Sequence, residues 1–149
     1  MKRYSKDMWM RPILDLESAP TRAGAISKDQ QHYIALLDEV RGHELRRKIC
    51  PSSWQSKVAW AILTEIYRCE LSNDRPSIKQ VQIGAECPPA TMLRHLTVLQ
   101  NEGWVDRTPS KSDSRVVYLS LSKSAVKLMD SWAQARFKQL LKLRTMAAA

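Results

Sequence analysis

Between Pro89 and Ser122 the apolar pattern changes period, and that change limits what this chain can fold into. From Pro89 to about Glu102, Leu93, Leu96 and Leu99 recur at helical spacing and face inward, while Thr91, Arg94 and His95 take the other face. Proline suits the first turn of a helix, and Gly103 is well placed as the stop at its other end. Residues 104–108 and 116–121 then read as two short strands joined by the polar turn 109–115, a β-hairpin with a basic tip. A helix followed by so small a hairpin cannot bury its own inner face and needs helices packed beneath it.

The upstream sequence supplies them. Residues 54–71 form a helix with Val58, Ile62, Leu63, Ile66 and Tyr67 inside, closed by the turn 72–76. Ser77 caps a short helix, with Gln80 at the capping-box position, and the chain turns again after Gly84. Helix, short helix, turn, helix and hairpin make a helix-turn-helix followed by a wing. The fold class is mainly α with a small β-hairpin (α+β). Two longer helices flank this unit. Ser27 opens the first, with Gln30 completing a capping box. Its stripe of Tyr33, Ile34, Leu37, Val40, Leu45 and Ile49 runs to Pro51, and Arg41-Gly42 is the place for a kink or break. Ser122 caps the last helix, which runs to about Arg144 with Val126, Met129, Trp132, Ala133, Phe137, Leu140 and Leu141 as its stripe. Residues 1–26 carry little periodicity and read as a flexible basic arm, so the domain proper is 27–149.

Charge narrows the partner. The 149 residues hold 24 Lys and Arg against 15 Asp and Glu, a net charge of +9, and a domain this basic suits a polyanion. The excess lies toward the end: residues 111–149 carry 8 basic and 2 acidic side chains, whereas residues 51–110 balance at 6 and 6. The 4 glycines form neither G-x-G-x-x-G nor a P-loop, and the 3 cysteines make no C-x-x-C. No nucleophile–base pair is evident, so neither an enzyme nor a cofactor or metal is expected. Without an apolar N-terminal run or a membrane-spanning stretch, the cytoplasm is the expected compartment.

The order of elements assigns the work. A rigidly held helix offering a short polar face can enter the major groove of duplex DNA, with residues 89–102 as the recognition helix. The wing, about 108–116, extends to one side, where Lys111 and Arg115 reach phosphates or the minor groove.

At these residues the chain resembles the MarR-type winged-helix regulators of bacteria. The resemblance rests on Ala90-Thr91-Met92-Leu93-Arg94-His95-Leu96, on the run from Leu99 through Glu102-Gly103-Trp104-Val105 to Arg107, and on Asp113-Ser114-Arg115 followed by Leu119-Ser120-Leu121-Ser122. It covers residues 56–129 closely and the helical flanks only in layout. The family pattern favours a DNA contact for Thr91, which otherwise serves its own first turn. Arg94 either bonds guanine bidentately or pairs with Glu86, and the first reading is preferred. His95 and Pro89 either touch the groove or are structural. The family suggests that Asp113 orients Arg115, with Ser110, Ser112 and Ser114 as adaptable donors and Lys111 on phosphate. Trp54, Trp60, Trp104 and Trp132 read as core and interface anchors before a ligand cage. Cys87 sits just before a helix N-terminus, where a thiolate is favoured, although an inert cysteine is the preferred reading.

The resemblance also implies a homodimer built from helices 27–50 and 122–145 of two chains. A twofold dimer spaces two recognition helices about one DNA turn apart and calls for a palindromic site. It further implies a small-molecule effector, of unknown identity, between the dimer helices and the winged helices. The competing reading is a winged helix used for protein interaction inside a larger assembly, which the neutral balance of residues 51–110 favours.

Overall fold

The computed structural model describes residues 28–148, with side chains to Thr145. The expected arm, its short helix and the Ser27 cap lie outside the described residues. Helix α1 spans Lys28–Ile49, a 3-10 turn spans Ser52–Trp54, and α2 spans Lys57–Leu71. Helix α3 (Ile78–Gly84) and α4 (Pro89–Asn101) follow, then the strands β1 (Val105–Pro109) and β2 (Val117–Leu121), and the terminal helix α5 (Lys123–Ala148). The winged helix-turn-helix read from the sequence is present in that order.

Local chemistry sets most boundaries. The Ser56 hydroxyl accepts the Ala59 amide at 3.0 Å, so α2 starts after Trp54 rather than at it. Trp54 belongs instead to the 3-10 turn, where it is wholly buried edge-on against Trp104 at 5.4 Å. The Ser77–Gln80 capping box forms as expected. Gly103 takes φ +76°, the left-handed conformation that ends α4 with little strain. Helix α1 runs through Gly42 without a break. The glycine is there for closeness: a Cβ would lie 3.2 Å from the Arg136 guanidinium of α5. That guanidinium pairs with Asp38 of α1 at 2.7 Å.

The core lies under α4. Ile62, Leu63 and Ile66 of α2, Val81 of α3, Met92, Leu96 and Leu99 of α4, Val105 and Leu119 of the hairpin, and Ala125 and Met129 of α5 form one buried cluster. Each large apolar side chain buried there stabilises the fold by about 1.5–3 kcal/mol. The hairpin is antiparallel, with Val105 opposite Leu121 and Pro109 opposite Val117. Its base is tied down at several points. The Leu119 amide donates to the Pro76 carbonyl at 2.8 Å, Ser77 bridges to Tyr118, and the Ser122 amide donates to the Trp104 carbonyl. The Leu121 amide donates to the Glu70 carboxylate of α2 at 2.8 Å. The wing therefore moves with the helices that carry α4.

The flanking helices are different. No residue of α1 is buried, and Tyr33, Leu36 and Val40 are 63%, 67% and 53% exposed. On α5, Phe137, Leu140 and Leu141 are exposed as well. Each apolar stripe is half-buried along much of its length and left uncovered in part, at Tyr33 and Val40 on α1 and at Phe137, Leu140 and Leu141 on α5.

Candidate nucleic-acid interface

Helix α4 is held by Met92, Leu96 and Leu99, all buried. This corrects the inward set of Leu93, Leu96 and Leu99. Met92 takes the inner position and Leu93 is 47% exposed. Spacings of four and three from Met92 satisfy the helical period as well as the threes from Leu93, so the pattern did not separate them. The exposed outer residues are Pro89, Ala90, Leu93, Arg94, Thr97 and Val98, with Gln100 and Asn101 in the last turn. Pro89 occupies the first helical position. Thr91 and His95 are half-buried on the flank rather than fully on the outer face. Arg94 forms no ion pair among the described residues, Glu86 included, so its guanidinium is open to a partner. Glu102 closes the helix and accepts the Trp104 indole N–H at 2.9 Å.

The wing tip is a turn organised by its own side chains. The Ser110 hydroxyl accepts the amides of Ser112 and Asp113 at 3.3 Å each and lies 3.1 Å from the Ser112 hydroxyl. Asp113 Oδ1 accepts the backbone N–H of Arg115 at 2.9 Å, and Val116 donates to the Asp113 carbonyl. The carboxylate thus acts on the Arg115 backbone and forms no ion pair with its guanidinium. Lys111, Ser112, Asp113, Ser114 and Arg115 are all exposed. Ser110, expected as an adaptable donor or as ordinary turn material, fixes the turn here. No hydrogen bond or ion pair joins the tip to α4 among the described residues.

Cys87 is not poised as a thiolate. It is 8% exposed, and burial pushes its thiol up from the ordinary value. Cys50 and Cys69 are buried and pushed up to about 11 for the same reason.

A cavity of about 590 Å³ opens between α1, α2 and α5, lined by Glu39, Gly42, His43, Arg46, Gln55, Lys57, Trp60, Trp132 and Arg136. The Trp60 and Trp132 rings meet edge-on at 4.7 Å, and the Arg46 guanidinium lies 5.1 Å from the Trp60 ring centre. Arg46 Nε and Trp132 Nε1 are buried donors without a hydrogen-bond partner among the described residues. Two of the tryptophans expected as anchors therefore also wall a cavity. The sequence signals it weakly, because its residues come from three separated segments. Among the described residues no cluster of His, Cys, Asp or Glu is arranged to hold a metal, and no helix is long and apolar enough to cross a membrane.

No protein-family model matches the sequence, and no curated protein matches it. Solved structures do. The NadR structure in complex with 4-hydroxyphenylacetate is 16% identical with a TM-score of 0.60, covering 86% of each chain. A mutant of MepR from S. aureus is 12% identical with a TM-score of 0.61, covering 81% of this chain and 85% of the other. The transcriptional regulator Tm0710 from Thermotoga maritima is 17% identical with a TM-score of 0.56, covering 80% and 78%. Five helices and a two-stranded wing, in this order and over four-fifths of the length, give this chain the MarR-type winged-helix fold.

Proposed function

We propose that the chain is a sequence-specific regulator of transcription that binds duplex DNA as a homodimer. The observation that carries this reading is α4. A buried triad holds it, its outer face bears an unpaired Arg94, and it contains no acidic residue. In this reading α4 lies in the major groove. Arg94 bonds a guanine, with Pro89, Thr91 and His95 beside it. The wing brings Lys111, Ser112 and Ser114 to phosphates and Arg115 to the minor groove, with Asp113 fixing the Arg115 backbone. MepR, a protein of similar fold, has been solved in complex with DNA. The exposed ends of the two stripes, Tyr33 and Val40 on α1 and Phe137, Leu140 and Leu141 on α5, suit a second copy, and a twofold pair of reading heads calls for an inverted repeat. Selection of bound sequences from a random duplex pool tests this. Enrichment of a palindrome with half-sites about one turn apart is expected, and a pool that enriches nothing overturns the proposal.

The cavity is the site we assign to a small-molecule effector. Its unpartnered Arg46 Nε and Trp132 indole donors, with Lys57 nearby, suit an anionic aromatic compound, although Arg136 is already paired with Asp38 and Glu39 adds one negative charge to the wall. NadR, with the same fold, binds 4-hydroxyphenylacetate. A ligand between α1, α2 and α5 touches both the dimer helices and the winged helix, so it would change the spacing of the two heads. The protein would act in the cytoplasm, on the nucleoid.

A further inference from the structure

We infer that the row Ala90–Leu93–Thr97 on the outer face of α4 reads the 5-methyl group of a thymine in the major groove, beside the base pair taken by Arg94. The inference rests on the DNA-reading function proposed above and specifies the sequence that function selects.

One row of the outer face lacks polar groups to offer. Positions 90, 93 and 97 follow one helical row, and all three side chains are exposed. Ala90 has no polar side-chain atom, and Pro89 before it has no N–H. Leu93 is 47% exposed, although three other residues already fill the inner face. Thr97 has a hydroxyl, but it donates back to the Leu93 carbonyl at 2.8 Å. The row therefore offers no free side-chain donor to a base edge. The side chains of such a row discriminate mainly by apolar contact, and the apolar feature of the major groove in ordinary DNA is the thymine methyl. The charge of the helix itself favours a polyanion over an apolar protein partner: α4 has Arg94 and His95 but no Asp or Glu, Arg94 is unpaired, and the exposed Glu86 and Glu102 lie before and after it. Arg94 adjoins Leu93 in the chain, so a guanine read by one places a neighbouring base pair against the other. An exposed leucine on a reading helix then acquires a function that solubility alone would select against.

The test replaces each thymine of the selected duplex, one at a time, by deoxyuridine, which lacks only the methyl. At one thymine per half-site, binding of the wild-type chain should weaken about fourfold, the factor that burying one methyl-sized group supplies. Leu93→Ala is exposed and leaves the core intact. It should bind the thymine and uracil duplexes equally well. Two results overturn the inference alone: wild-type binding that ignores every uracil while still preferring the selected site over a scrambled one, or a uracil effect that survives undiminished in Leu93→Ala. A wild-type chain that prefers no sequence at all overturns the DNA-reading function itself, and this inference with it.

Discussion

Asp113 is the residue where elementary electrostatics and the observed geometry predict opposite signs. A carboxylate at the tip of a DNA-binding wing repels phosphate. At one Debye length, about 8 Å, the bare repulsion in water is about 0.5 kcal/mol, and screening reduces it to about 0.2 kcal/mol. Against this stands the hydrogen bond from the Arg115 amide to Asp113 Oδ1 at 2.9 Å, which closes the turn. A hydrogen bond of this kind contributes about 0.5–1.5 kcal/mol, so the turn outweighs the charge. Asp113→Ala should therefore weaken duplex binding about two- to tenfold per wing, despite removing a negative charge. Asp113→Asn keeps an acceptor oxygen and loses the charge, so it should bind as well as the wild type or up to about 1.5-fold better. Fluorescence anisotropy on one duplex at several salt concentrations reads both. Tighter binding by Asp113→Ala would refute the reasoning, because it would show that the charge matters and the turn does not.

Two further outcomes follow from the flanks and the wing base. Light scattering should give twice the chain mass, and Phe137→Asp with Leu140→Asp should give a folded monomer, since both side chains are exposed within one chain; a wild-type monomer would contradict the dimer. Burial raises the Glu70 carboxyl above its ordinary value, an effect partly offset by the Leu121 amide and Arg75. The folded state then holds this proton more tightly than the unfolded one, so Glu70 favours folding below its ordinary value and loses that contribution as pH rises through the raised one. Glu70→Gln, which retains an acceptor for Leu121, should flatten this part of the stability curve and be neutral to stabilising at pH 7. A denaturation series from pH 4 to 8 checks it, and an unchanged slope would contradict the assignment.

The fold was legible because its signals are local. Ser77 with Gln80, Gly103 after a leucine run, and a polar turn between β-branched segments each fix an element within a few residues. The misreadings share one physical cause, that burial is decided by neighbours far along the chain. Leu93 and Met92 fit the same period, and only packing against α2 and the hairpin selects Met92. Trp54 looks helical in sequence but is captured by Trp104. The cavity was least legible, because Arg46, Trp60, Trp132 and Arg136 meet only after α1, α2 and α5 pack together. On the wing, the sequence suggests that Asp113 orients the Arg115 side chain, but the contact found is to its backbone. The bond goes to the backbone amide, which any residue at position 115 would supply.

The division of labour between α4 and the wing is the central claim, and parallel titrations of Arg94→Ala and Lys111→Ala test it most directly. Each variant is measured on the selected and on a scrambled duplex over a range of salt concentrations. Arg94→Ala should cost about 1–3 kcal/mol on the selected duplex, far less on the scrambled one, and relax preference at one base pair per half-site. Lys111→Ala should weaken both duplexes alike and lower the log–log salt slope by about 1 per subunit. Equal loss on both duplexes for Arg94→Ala would make Arg94 a phosphate clamp and contradict the assignment of sequence reading to the outer face of α4.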